Sequence, residues 1–352
     1  MVDDLHLDSG KLLTKSGTPF FWLGDTHWFA MTGRCSMEQL ETILKLRKKQ
    51  GFTVFQTVVG VPPEVDPWSP NAANSGGHPF LKDGSINKKY FAEVDAKLAL
   101  ILEYGLTPCI FGAWGHHMDT LGYRALQNWW QELLDRYAKL PVIFCVTGEV
   151  DLFPTALYGE GQSEVQKQLH TVLPERVKNV ARRALSYFTR TFHQRKLKKR
   201  LAQWNKLGEW IAAHDTYHRP LTIQPHSMHS ARELFPHAKW LTINAIQSGH
   251  SVDRLAFMQQ KTKQESQYPL PFVNLEPWYE GIFGQFGPEQ QKKALQTTLK
   301  NGGIGMSYGA QGLWNMSTKT DPFLTHWGEA TWEEGLKAPG ATLLFSTYKS
   351  GA

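Results

Sequence analysis

The 352-residue chain has only three cysteines, Cys35, Cys109 and Cys145. An odd count with no C-x-x-C spacing excludes a disulfide framework and a zinc knuckle. Cys109 and Cys145 sit in apolar runs and read as small core residues. No apolar stretch is long enough to span a bilayer. The N-terminus, "MVDDLHLDSGKLL", has no apolar h-region and so does not read as a signal peptide. The expectation is a cytoplasmic protein, or a secreted or periplasmic one if a leader has been removed. There is no short repeat and no low-complexity tract.

What is present is an ordinary globular balance, with 41% apolar and 20% charged residues. Aromatics are abundant at 12%, including 13 tryptophans. Such rings serve either as core filling or as flat faces for stacking a ligand. The net charge of +6 is unevenly spread. Residues 175–206 carry eleven Lys or Arg and one acid, a local balance of +10, so the remainder sums to −4. The chain is a mildly acidic body with one basic segment.

Eight short apolar runs recur along it: "FFWLGD", "FTVFQTVV", "LTPCIFGAWG", "PVIFCVTGEVD", "RPLTIQPH", "WLTINAIQSGH", "PFVNLEPW" and "GIGMSYG". Amphipathic segments lie between them. "SMEQLETILKLRKKQG" places Ser36 and Gln39 as a capping box and Gly51 as a stop. "NKKYFAEVDAKLALILEYG" repeats the design and closes at Gly105. The tail "THWGEATWEEGLKAPGATLLFSTYK" reads as helical. Strands alternating with helices indicate parallel β/α units, and continuous apolar runs indicate strands buried on both faces. An open nucleotide-binding sheet needs G-x-G-x-x-G after its first strand, whereas this chain has "GDTHW" there. The expected fold is therefore an α/β, (β/α)8 TIM barrel. A single catalytic domain over 1–352 is expected, with a basic helical insertion at 155–207 after strand 4.

In such a barrel the site lies at the C-terminal ends of the strands. Those ends carry Asp25, His27 and Trp28 (strand 1), Gln56 (strand 2), and Trp114 and His116 (strand 3). Strand 4 offers Glu149, strand 5 Gln224 and His226, and strand 6 Asn244, Gln247 and His250. Strand 7 gives Glu276, Trp278 and Tyr279, and strand 8 gives Tyr308. Glu149 and Glu276 stand out because each closes an otherwise apolar strand. Strands 4 and 7 face each other across a barrel mouth. Opposed carboxylates there suit glycosidic cleavage, one protonating the leaving oxygen and the other attacking the anomeric carbon or activating water. By fold-level analogy, the strand 4 residue is acid/base and the strand 7 residue nucleophile. Glu280, one loop step beyond, reads as a support for a neighbouring side chain.

Several motifs together resemble the apiosidase-like glycoside hydrolases: "GTPFFWLGDTHW", "GFTVFQTVV", "YFAEVDAKLALILEYGLTPCIFGAWG", "WLTINAIQSGH", "VNLEPWYEG" and "NGGIGMSYGAQGLW". The likeness runs from about residue 7 to the end. It implies a TIM barrel with Glu149 as acid/base and Glu276 as nucleophile, and release of apiose-containing units from pectic polysaccharide. It also implies sugar contacts from Asp25, Trp114, Gln247, His250 and Tyr279. The chain departs from the family pattern in three respects. Thr147-Gly148-Glu149 stands where Gly-Gly-Asp is usual, His27 stands where a small residue is usual, and the given sequence ends soon after the eighth unit, where many relatives carry a C-terminal β-sandwich.

Two other readings of the residues stand beside this one. "GHHMD" offers His116, His117 and Asp119 to a metal hydrolase, but no H-x-H at the first strand supports it. A barrel that only binds carbohydrate would keep the aromatics and lose a carboxylate. The basic segment reads as a solvated helical face, an oligomer contact or a binder of polyanions. No nucleic-acid motif accompanies it. The expected partner is an oligosaccharide or polysaccharide, with no cofactor.

Overall fold

Each of the eight apolar runs contributes one strand. A computed structural model describes residues 2–152 and 175–350, with the side chains of 175–193 outside the description. The strands are β3 (Trp22–Thr26), β4 (Val54–Val58), β5 (Thr107–Phe111), β6 (Ile143–Cys145), β7 (Leu221–Thr222), β8 (Asn244–Ile246), β9 (Phe272–Asn274) and β10 (Gly305–Tyr308). All are buried along their length and pair in parallel in the order β7-β6-β5-β4-β3-β10-β9-β8. The two edges meet, because the Thr242 and Ile243 N–H groups both donate to the Leu221 carbonyl at 3.0 and 3.3 Å. The sheet is thus a (β/α)8 barrel, and it leaves no free strand edge.

A hairpin precedes the barrel, β1 (Leu5–Asp8) against β2 (Lys11–Thr14). Its turn residues Ser9 and Gly10 both have positive φ, 48° and 76°, matching the twist of a two-residue hairpin. The pattern of apolar runs does not reveal this hairpin, because only Leu5 and Leu12 are buried in it.

Helix α1 (Met37–Lys49) begins as its sequence predicts. The Ser36 hydroxyl accepts from the Gln39 N–H, and the Gln39 side chain accepts from the Ser36 N–H. Gly51 ends it with φ +80, where a Cβ would also lie 2.4 Å from the Phe345 ring. Helix α2 (Phe91–Glu103) stops before Gly105 in the same way. Next come α3 (His117–Thr120) and α4 (Tyr123–Tyr137).

The basic segment differs from expectation. It is not an insertion set apart from the following helix, because Glu175–His214 is one continuous 40-residue helix, α5. Its C-terminal part packs on the barrel through Trp204, Leu207 and Ile211. The expected residues 155–174 lie outside the described residues, as do the side chains of much of the basic run.

Beyond β7 follow α6 (Ala231–Leu234), α7 (Arg254–Glu265) and α8 (Pro288–Lys300). The tail forms two short helices rather than one, α9 (Trp332–Leu336) and α10 (Gly340–Lys349). Lys337-Ala338-Pro339 separates them, since proline cannot continue the first ladder. All three cysteines are free and buried. Among the described residues no helix is long and apolar enough to cross a membrane.

Candidate active site

Glu149 lies four residues beyond β6. Pairing with the neighbouring chain continues past the formal strands, with Gly148 N–H donating to the Ala113 carbonyl and Gly115 N–H to Gly148. The Trp114 ring lies against Gly148, where a Cβ would come within 2.4 Å of it. That close approach lets the Trp114 Nε1–H reach Glu149 Oε2 at 3.0 Å. The Gln247 amide, from the end of the β8 run, donates to Oε1 at 3.0 Å. Glu149 itself has φ 43°, a left-handed backbone that costs a non-glycine residue about 1–3 kcal/mol and is typical of functional positions.

Glu276 follows β9 by two residues. Gln224 donates to its Oε2 at 2.9 Å, and His250 Nε2 lies 3.0 Å from its Oε1. His250 Nδ1 accepts from the Tyr279 N–H, so the ring proton sits on Nε2 and points at the carboxylate.

The two carboxyls therefore sit in contrasting settings. Burial pushes the Glu149 carboxyl up to about 8, with the Glu276 charge adding and the Gln247 and Trp114 donors opposing. At neutral pH Glu149 holds a proton to give. A carboxyl raised in this way can serve as an acid beside a second carboxyl.

Both glutamates line one cavity of about 560 Å³. Of the residues at the strand ends, Trp28, Trp114, His226, Gln247, His250 and Tyr279 line it with them. His226 Nε2 is 4.0 Å from Glu149 Oε1. Gln224 lies behind Glu276, fully buried, and acts on a ligand only through that carboxylate.

Seven predicted contacts lie elsewhere. Asp25, His27, Gln56 and Tyr308 are 0% exposed beneath the cavity. Asp25 Oδ2 lies 2.6 Å from both His27 Nε2 and Arg47 Nε, and Asp25 is fully buried, out of reach of a ligand in the cavity. His27 is stacked on Phe55, so it does not narrow the pocket. Gln56 spans the barrel interior, donating to the Leu275 carbonyl at 3.2 Å and accepting from Ser307 at 2.8 Å. It therefore braces the residue before Glu276. The Tyr308 hydroxyl donates to Glu280 at 2.6 Å. Asn244 turns outward to Glu265 at 2.8 Å, towards the helical layer. Trp278 stacks on Phe286 and donates to the Ser251 carbonyl. His116 packs beside His117 near Arg200, and burial with that positive charge pushes its pKa down to about 4. Glu280 turns away from the cavity and accepts from the Gly340 N–H at the start of α10.

The cavity also contains residues that strand ends could not reveal. Trp314, His326 and Trp327 come from the segment after β10, Glu64 from the loop after β4, and Arg254 from the start of α7. The only signal for them is an unusually aromatic or Pro-rich loop, which carries no periodicity. Among the described residues no group of three or more His, Cys, Asp or Glu side chains is arranged to hold a metal.

Solved structures share this architecture. A glycoside hydrolase family 5 protein from Bacteroides vulgatus ATCC 8482 matches with TM-score 0.71 at 18% identity, over 97% of this chain and 70% of its own. An endo-1,4-beta-mannanase from Rhizomucor miehei matches with TM-score 0.60 at 9% identity, over 99% of both chains. The endo-1,4-beta-D-mannanase of Thermotoga petrophila RKU-1 gives TM-score 0.60 at 10% identity, over 94% of this chain and 100% of its own. At these identities the likeness establishes the fold. No curated protein matches the sequence. The barrel and its two-carboxylate cleft define a barrel glycosidase. The apiosidase-like catalytic domain matches residues 8–347, nearly the whole chain, and the protein belongs to that family.

Proposed function

We propose that the protein cleaves a glycosidic bond in a plant or microbial glycan by double displacement, with net retention. The observation that carries this reading is the pairing within one cleft of Glu149, whose carboxyl burial pushes up to about 8, with Glu276, which Gln224 and His250 hold by a hydrogen bond to each oxygen. A Glu276 oxygen attacks the anomeric carbon as the bond to the leaving oxygen breaks. Glu149 gives its proton to that oxygen. Glu149, now a carboxylate, takes a proton from water as the water oxygen attacks the anomeric carbon. The Glu276 oxygen departs and both carboxyls return to their starting states. The aromatic walls from Trp28, Trp114 and Trp327 supply flat faces for sugar rings. Apiose-containing or other pentose units of pectic side chains are the first substrates to try, in view of the family. The barrel and the long helix α5 are read as one catalytic unit.

The test is a glycan-panel screen of wild type, Glu149→Gln and Glu276→Gln, followed by NMR of the first-formed anomer. Loss of activity on the order of 10²-fold or more is expected for each variant. Full activity in either removes that residue from the chemistry, and inverted product removes the double displacement.

A further inference from the structure

A third carboxylate faces the same cavity. Glu64 follows Pro62 and Pro63 on the loop after β4, with its side chain 15% exposed. Its backbone is left-handed, φ 60°, a conformation that costs a non-glycine residue about 1–3 kcal/mol. Trp327 Nε1 donates to Oε1 at 2.8 Å, and His326 Nε2 lies 3.0 Å from Oε2. Among the described residues each oxygen thus has one protein donor, whereas a carboxylate offers about four acceptor positions in all.

Glu280 provides a contrast, since it is spent on Tyr308 and on a helix N-terminus and does not line this cavity. Glu64 caps no helix, and its only ion-pair partner among the described residues is His326. Burial pushes its carboxyl up against the Trp327 and His326 donors, and the Glu276 charge adds to the rise. The fixed carboxylate therefore feels the catalytic one, and its free acceptor positions open on the space where a sugar ring must lie.

We propose that Glu64 is a substrate-recognition residue whose carboxylate accepts hydrogen bonds from neighbouring hydroxyls of the bound sugar and excludes a carboxylate or sulfate at that place. The inference rests on the proposed glycosidase function. A buried acceptor left unpaired costs more than a lost contact, so a sugar missing the hydroxyl is discriminated against strongly. His326 and Trp327 hold the carboxylate in position.

The test uses the neutral 4-nitrophenyl glycoside identified by the panel, its monodeoxy analogues, and the matching uronate. In wild type, one or two deoxy analogues are expected to lose on the order of 10²-fold or more in kcat/KM. In Glu64→Ala that penalty should shrink to about threefold or less, because the partner is gone. Trp327→Phe keeps the ring and the carboxylate but removes one donor, and an intermediate penalty is expected. If Glu64→Ala does not fold, Glu64→Gln is used; it should raise the uronate's kcat/KM relative to the neutral sugar by about tenfold, since one like charge is removed. An unchanged deoxy penalty in Glu64→Ala, or unchanged uronate selectivity in Glu64→Gln, overturns the inference. If Glu149→Gln and Glu276→Gln remain inactive in those same assays, the catalytic reading survives and only the role of Glu64 falls. Full activity in those two variants sinks the catalytic reading instead.

Discussion

Replacing Glu149 by Gln should damage activity and stabilise the fold, with a pH dependence that follows from the cleft. The Glu149 carboxyl is raised from an ordinary 4.5 to about 8, chiefly by burial and then by the Glu276 charge. A carboxyl raised in the folded state holds its proton more tightly there than in the unfolded chain. Its contribution is fully present below pH 4.5 and is lost as pH rises through 8. Between these limits the wild type loses about 1.4 kcal/mol per pH unit, so by pH 7 the loss is about 3 kcal/mol, and it levels off near 5 kcal/mol above pH 8. Glutamine has no proton to lose. Its amide also fits the site, because Gln247 Oε1 is buried without a partner and an amide flip turns it toward the new N–H. With an unfolding entropy of about 2.1 cal/mol/K per residue, a 352-residue chain shifts its Tm by about 4–5 °C for 3 kcal/mol. Thermal melts of both proteins from pH 4.5 to 9 measure this directly. The Tm difference, variant minus wild type, should grow by that amount up to pH 7 and flatten above pH 8. Parallel curves across the range would refute the raised carboxyl and the acid role built on it. The matching kinetic expectation is a wild-type kcat/KM that falls above about pH 8.

Three further outcomes follow from the same geometry. Trp114→Phe removes a donor that favours ionised Glu149, so the alkaline limb of kcat/KM should move up by about one pH unit; a limb that stays put or moves down contradicts the assignment. Gly148→Ala places a methyl 2.4 Å from the Trp114 ring and should lower kcat about tenfold or more through displacement of that ring, with a stability cost of about 1–3 kcal/mol read by denaturant titration; unchanged kcat means the ring position does not matter. Tyr308→Phe takes the 2.6 Å donor from buried Glu280 and should cost about 1–3 kcal/mol of stability while leaving KM within about twofold; a large rise in KM would restore Tyr308 to the sugar contacts.

The barrel was legible because its strands are buried on both faces and therefore read as continuous apolar runs, which no surface element imitates. Glu149 and Glu276 were legible for the same reason, as charges that end such runs. Asp25, His27, Gln56 and Tyr308 were misplaced because a strand-end position gives the end of the barrel but not the height or direction of a side chain. Arg47, arriving from α1, draws Asp25 into a buried cluster, and Gln56 finds its partners across the interior. Glu64 and Trp327 were invisible because irregular loops carry no period, and their meeting spans 263 positions of chain.

The sequence by itself determined the eightfold β/α alternation and the two glutamates that close its fourth and seventh apolar runs, which follow from local burial pattern and residue type, and its motifs carried the resemblance to the family. Only the tertiary structure decided which polar residues face the cleft. It also decided that burial raises the Glu149 carboxyl, and that a third carboxylate, Glu64, lines the same cleft. These depend on desolvation and on donors from distant segments, quantities that exist only once the chain has closed around the site.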